Sequence, residues 1–283
     1  FDAEIDKQVV AIEQNGEKEA TEKTGRSGAL PWIGAGWYRT TAVVSPAAER
    51  VLLNFDGAMA EPEVYVNGRK AGEWKYGYSA FNIDITDYIN RNGSENTIAV
   101  RLQNIEESSR WYPGAGLYRP VTLIETGRTA IAQWGVNVQT LSIDADGTVS
   151  ARFTAETENY TGRDLAVEFD VQTESRHRTV FSSGIGADGT CSVIETFGCV
   201  VPWSPEEPKL YNLTVSLYDV ADGKKILLDS VTKRVGYRTV KCSAERGFEL
   251  NGVSRKIRGV CLHHDLGMLG AAVNKAALIR QIE

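Results

Sequence analysis

No stretch of this chain approaches the roughly 20 consecutive apolar residues of a membrane-spanning helix. Phe1-Asp2-Ala3-Glu4 has neither the basic start nor the apolar run of a signal peptide, which by itself leaves the compartment open. Histidine is scarce, with three in 283 residues, and no two stand at the spacing that puts a metal-binding pair on one helix face. The four cysteines, Cys191, Cys199, Cys242 and Cys261, fit no zinc spacing. Cys191 and Cys199 would pair only if their strands were neighbours, and four free, buried thiols are the reading taken. There is no glycine-rich phosphate loop and no Gly-x-Ser-x-Gly elbow. Basic residues are outnumbered, 31 against 37 acidic ones, for a net charge of -6. That balance argues against nucleic acid or an anionic membrane as partner. Neither a metal nor another cofactor is expected.

What is present is mostly β pattern. Val9-Val10-Ala11-Ile12 reads as a short strand, and Glu13 to Gly28 as a polar loop. From Trp37 to Thr126, short alternating runs are separated by turn residues. Glu63-Val64-Tyr65-Val66 leads into Asn67-Gly68, a strong hairpin signal. Phe81, Ile83 and Ile85 share one strand face. This first part is expected to be a jelly-roll sandwich. From about Thr129 to Val240 seven further strands are expected, near 131–142, 148–158, 164–173, 177–183, 190–200, 210–219 and 226–238. About 110 residues and seven strands suit an immunoglobulin-like sandwich. Pro202-Trp203-Ser204-Pro205 reads as a rigid crossing before the sixth of them.

The end of the chain changes character. Phe248-Glu249-Leu250-Asn251-Gly252 is a strand entering a tight turn, and Lys256-Ile257-Arg258-Gly259-Val260 a second short strand. His263-His264-Asp265 stands at its C-terminal end, and Asn274-Lys275 opens a helix with Ala277, Leu278 and Ile282 at helical spacing. Strand, polar tip and helix together form one unit of a parallel α/β fold. A single such helix has no neighbour on which to bury its apolar face. Residues after Leu262 are therefore expected to be disordered or to dock against another chain.

Three stretches carry side chains suited to chemistry. Ser108 to Pro120 is a loop in which Arg110 offers a forked donor and Trp111 and Tyr112 offer flat ring faces, a set that suits sugar hydroxyls and C–H surfaces. The same residues equally suit a loop that packs on its own domain. His263, His264 and Asp265 fit a pair satisfied by local hydrogen bonds, or the rim of a barrel active site if 256–260 is a first barrel strand. Trp74, Tyr76 and Tyr78 fit a ring-packed sheet face better than a sugar platform.

Taken in order, these stretches resemble glycoside hydrolase family 2. The matching pieces are Gly36-Trp37-Tyr38-Arg39, Phe55-Asp56-Gly57, Glu63 to Gly68, Gly77-Tyr78 with Phe81, Asp84 and Thr86, and Ser109-Arg110-Trp111-Tyr112 with Gly116-Leu117-Tyr118-Arg119. Further on come Gly247-Phe248, Leu250-Asn251-Gly252, Arg258-Gly259-Val260 and His263-His264-Asp265. The His-His-Asp form is similar to the bacterial β-galactosidase-like group.

The resemblance implies a sugar-binding jelly roll over 1–127 (irregular at 1–28), an immunoglobulin-like sandwich over 128–240 and the start of a (β/α)8 barrel over 241–283. It implies a retaining mechanism with two glutamates, one the acid/base and one the nucleophile. The family's acid/base follows an asparagine, and no Asn-Glu dipeptide occurs here. The resemblance thus places both glutamates beyond Glu283, and the 283 residues alone are expected to be inactive. His263 matches a family histidine that contacts the substrate sugar, and the Arg110-Trp111 loop matches a segment that reaches the barrel's active site. The implied partner is a β-galactoside-type glycan, and homo-oligomerisation is left open. The rival reading is a free-standing carbohydrate-binding or adhesive β-protein.

Overall fold

A computed structural model describes residues 34–104, 115–158, 164–174, 178–262, 266, 269 and 271–283, together with the backbone of 11–14 and 17–20. The chain is mainly β and divides into two compact units, residues 1–125 with 260–283, and residues 126–259. At the start, β1 (Ala11–Gln14) and β2 (Glu17–Ala20) pair as an antiparallel hairpin, where the composition suggested a loop from Glu13 onward.

In the first unit, β3 (Gly34–Val43), β4 (Arg50–Phe55), β5 (Glu63–Val66), β6 (Arg69–Glu73), β7 (Phe81–Asp84), β8 (Glu95–Asn104) and β9 (Val121–Thr126) form two sheets. One runs β3-β8-β5-β6 and the other β7-β4-β9. Alternation builds the layer between them. Val64 and Val66 of β5, Ile98, Val100 and Leu102 of β8, and Val51, Leu53 and Phe55 of β4 are all buried in one cluster with Phe81 and Ile85. Phe55 and Phe81 stack nearly parallel, with ring centroids 4.7 Å apart.

The Asn-Gly turn between β5 and β6 has Asn67 at φ 50° and Gly68 at φ 78°, the paired positive dihedrals that a tight hairpin requires. Asn67 also locks the turn to its neighbours. Its Oδ1 accepts from Thr97 N–H (3.0 Å), and its Nδ2 donates to Tyr88 O and to Asn96 Oδ1. Asn96 is 1% exposed, and its Oδ1 also accepts from Asn90 N–H at 2.6 Å. Asn96→Ala removes the acceptor shared by Asn67 Nδ2 and Asn90 N–H from a partly buried network and is expected to cost about 1–2 kcal/mol. A urea titration read against wild type checks this; an unchanged midpoint would remove the network from the account of stability.

In the second unit seven strands match the expected number, with ends shifted by a few residues. They are β10 (Ala130–Ile143), β11 (Val149–Glu158), β12 (Leu165–Gln172), β13 (Arg178–Gly184), β14 (Thr190–Phe197), β15 (Tyr211–Ala221) and β16 (Lys224–Val235). They form a three-stranded sheet, β10-β11-β14, and a four-stranded one, β13-β12-β15-β16. Every second residue points inward: Val149, Ala151, Phe153 and Ala155; Leu165, Val167, Phe169 and Val171; Tyr211, Leu213, Val215 and Leu217. The proline-rich crossing is held at both ends of its tryptophan. Trp203 N–H donates to Tyr237 O at 2.8 Å, and Trp203 O accepts from Asn251 Nδ2 at 3.1 Å. A small antiparallel sheet of β17 (Val240–Ser243), β18 (Gly247–Leu250) and β19 (Val253–Ser254) closes this unit, turning at Asn251-Gly252.

The cysteine reading is half right. All four are free, but only Cys191 is buried; Cys199, Cys242 and Cys261 are exposed. Cys191 sits inside β14, whereas Cys199 follows it in a left-handed conformation at φ 61°, outside the ladder.

Candidate functional site

The sequence nominated Arg110, Trp111, Tyr112, His263, His264 and Asp265, and all six lie outside the described residues. What the structure describes is the frame that holds the ends of the two stretches carrying them.

The stretch 105–114 leaves β8 after Asn104 and is described again from Ala115. Both of its ends are tied to the same dipeptide. On the outgoing side, Gln103 N–H donates to Ala60 O at 2.8 Å and Ala60 N–H to Gln103 O at 3.4 Å. On the returning side, Gly116 N–H donates to Met59 O at 2.8 Å and Met59 N–H to Gly116 O at 3.0 Å. Four backbone hydrogen bonds from adjacent residues thus clamp the mouth of the loop. A loop on a rigid base is a common way to present binding side chains.

The frame continues through Tyr118, which is 5% exposed and donates its hydroxyl to Gly77 O at 2.8 Å. Burial pushes that hydroxyl's pKa upward, which keeps it a donor throughout the ordinary pH range. Arg119 lays its guanidinium over the Tyr118 ring at 5.3 Å and reaches Asp56 O at 3.4 Å. Asp56 N–H in turn donates to Pro120 O at 3.1 Å. Two glycines make room for this packing. A Cβ on Gly57 would stand 2.5 Å from the Tyr118 ring, and one on Gly77 would collide with the Met59 side chain.

Tyr118 also receives the chain's last segment, since Val273 N–H donates to Tyr118 O at 2.8 Å. Helix α1 (Lys275–Ile282) starts directly afterwards, capped by Asn274, whose Oδ1 accepts from Ala277 N–H at 3.1 Å. This corrects the expectation after Leu262 for residues 271–283, which group with the first unit of their own chain and are tied to it at Val273, while 263–265, 267, 268 and 270 lie outside the described residues. None of the helix's residues is buried; Ala277 and Leu278 are half-buried, and Ile282 is 84% exposed. The expected strand at 256–260 is not formed. Ile257 and Val260 are 77% and 85% exposed, and none of the described strands runs beside them. A strand of a parallel sheet needs backbone partners, and apolar sequence alone does not supply them.

The other aromatic run divides. Trp74 stacks on Phe81 at 5.4 Å and donates its Nε1–H to Ser79 Oγ, continuing the Phe55–Phe81 column toward the surface. Tyr76 is 61% exposed and leans on Tyr78. These residues lie past β6 in the connection to β7, so they cap the core edge and do not line a sheet face. Among the described residues no group of three or more His, Cys, Asp or Glu is placed to hold a metal ion, and no helix is long and apolar enough to cross a membrane.

Sequence reasoning quoted Gly57, Gly77 and Tyr118 as motif letters without a role. Gly57 leaves the space that the Tyr118 ring fills, while Gly77 leaves room for the Met59 side chain and accepts the Tyr118 hydroxyl on its carbonyl. Met59 and Ala60 carried no signal, because the four bonds at the ends of the stretch are made by their backbone, and the Met59 side chain only packs against Gly77.

The described residues thus form a two-sheet sandwich followed in the chain by a seven-stranded sandwich, the domain order that the resemblance implied. Comparison with known families agrees. Residues 31–127 match the sugar-binding domain of glycosyl hydrolases family 2, and residues 129–238 match a second model described as glycosyl hydrolases family 2. Together these cover most of the chain, and the chain belongs to this family. It is 38% identical to a β-galactosidase of Bacteroides ovatus over 282 residues, 96% of this chain and 32% of that one. It is 29% identical to a β-glucuronidase of Bacteroides fragilis, covering 85% of this chain and 36% of the other. Among solved structures, a family 2 member from Bacteroides cellulosilyticus superimposes with a TM-score of 0.79 at 32% identity, over 92% of this chain and 36% of that one. The chain therefore spans about a third of the length of these relatives.

Proposed function

We propose that these residues are the accessory β-domains and the first barrel segment of a retaining glycoside hydrolase that acts on β-galactosides. The observation that carries the reading is the junction at Tyr118. Its peptide carbonyl accepts from Val273 in the segment that follows His263-His264-Asp265, and it stands two residues past Gly116, where Met59 ties the returning end of the stretch carrying Arg110-Trp111-Tyr112. Two stretches far apart in sequence, each read as facing a sugar, are thus fastened within one compact unit. In this reading Arg110 donates to sugar hydroxyls, Trp111 and Tyr112 stack on its C–H face, and His263, His264 and Asp265 contribute hydrogen bonds near the reaction centre. The acid/base and nucleophile are glutamates supplied from beyond Glu283, about 5–5.5 Å apart, as direct attack with retention requires. Galactose is preferred over glucuronate because the more similar of the two relatives is a β-galactosidase.

The test is an assay of the full-length gene product and of the 283-residue chain with nitrophenyl β-galactoside and β-glucuronide. The expected result is turnover of the galactoside by the full-length product only. Turnover by the short chain would refute the placement of the glutamates, and full-length turnover of the glucuronide alone would refute the sugar.

A further inference from the structure

The sheet β3-β8-β5-β6 turns one face to the core and the other to solvent, and the solvent face is not an ordinary polar one. Register fixes its occupants. Trp37 and Glu63 both pair with Arg101 from opposite sides of β8, while Tyr65 pairs with Ala99 and with Lys70. Period-two alternation puts all of these side chains on the face opposite Val64, Val100 and Leu102. Trp37 is 57% exposed, and its ring leans across β8 to Tyr65 at 5.5 Å and 45°. Ala99, the register partner of Tyr65, is only 8% exposed although it points away from the core.

Around the rings the polar groups are already fixed by each other. Glu63 accepts from Lys70 Nζ (3.0 Å) and from the Tyr65 hydroxyl (3.1 Å), with Arg101 Nη1 3.8 Å away. Arg101 Nη2 donates to Gln103 Oε1 at 2.9 Å. The Lys70 and Tyr65 hydrogen bonds also hold the Glu63 carboxyl below its usual range, so it is an acceptor near neutrality. A half-exposed indole face beside a fork of donors and a carboxylate offers two kinds of contact at once: an apolar plane for a pyranose C–H face, and paired donors and acceptors for vicinal hydroxyls.

We propose that this outer face, centred on Trp37 and Tyr65 with Arg101, Glu63, Lys70 and Gln103 around them, is a non-catalytic binding surface for a glycan chain. A protein partner is disfavoured because the ring pair stands within a charged array of Arg101, Glu63 and Lys70, whereas protein interfaces deplete charge at their centre. The choice of a galactan as first ligand rests on the hydrolase reading above; the surface itself does not.

The experiment is affinity gel electrophoresis of the 283-residue chain and of the full-length product in gels containing β-galactan or polygalacturonate, supported by tryptophan fluorescence titration. Both proteins are expected to be retarded by galactan. Trp37→Ala and Arg101→Ala should each weaken retention by about tenfold, the loss of about 1.4 kcal/mol of contact. Trp134→Ala, which removes a similarly exposed tryptophan from the second unit, should leave it unchanged. Circular dichroism melts establish that the variants are folded, and Arg101→Ala keeps the test valid if Trp37→Ala is not. Retardation by polygalacturonate alone would keep the surface and assign it to acidic glycans. No retardation in either gel, or retention of both binding-face variants equal to that of the unsubstituted chain, overturns the proposal. So does binding by the short chain that the full-length product lacks, because the face would then be covered. An inactive full-length product that still binds galactan would sink the hydrolase reading and leave this surface standing.

Discussion

Gly57→Ala is expected to destabilise the first unit by about 2–3 kcal/mol, because the new methyl group has no space that does not belong to Tyr118. The Tyr118 ring is buried, its hydroxyl is bonded to Gly77 and its carbonyl to Val273, so it cannot step aside without breaking one of these bonds. Two effects separate on measurement. In the 283-residue chain, urea unfolding should show a lower midpoint for the first unit while the transition of the second unit stays in place. In the full-length product, displacement of the clamped loop should lower kcat/KM on the β-galactoside by about 100-fold, the scale set by small misplacements of positioning groups. Tyr118→Phe removes only the hydroxyl and should cost about 1 kcal/mol with the loop base intact. If Gly57→Ala leaves both the midpoint and kcat/KM unchanged, Tyr118 is not the keystone of the loop mouth.

The fold was more legible than the site, for a physical reason. Strands announce themselves locally: β11, β12 and β15 alternate without a break, and Asp or Asn before Gly marks the turns. The seven-strand count of the second unit could therefore be read from the sequence directly. The clamp at Met59-Ala60 could not, because backbone-to-backbone bonds between positions more than 40 residues apart leave no trace in residue type. The strand misread at 256–260 is the converse case. Ile257 and Val260 suit a strand by residue type, but a strand is a property of two neighbours, and both residues are exposed. The outer-face pair Trp37 and Tyr65 was hidden for a third reason: the two lie on strands separated by β8, so their contact exists only once the register is known.

Phe153→Ala is expected to be the most damaging single change in the second unit, at about 3–5 kcal/mol. Phe153 is fully buried on β11 and sits in a ring of aromatics: Phe181 edge-on at 4.9 Å, Phe169 at 5.7 Å and Phe197 at 6.1 Å. Phe169 and Phe181 are themselves stacked at 5.3 Å on paired positions of neighbouring strands, so they cannot close on the vacancy without slipping the β12–β13 register. Truncation therefore leaves a cavity between the sheets, where a surface-near site would relax. A loss of this size is a large share of a typical domain's 5–15 kcal/mol. Near-UV circular dichroism and urea titration should show the second unit's transition shifted far to low denaturant, with the first unit's transition unmoved. Phe153→Leu keeps most of the volume and should recover much of the loss. If Phe153→Ala and Phe153→Leu cost the same, ring geometry rather than volume governs this core. If both units lose cooperativity together, the division of the chain into two independently packed sandwiches is wrong.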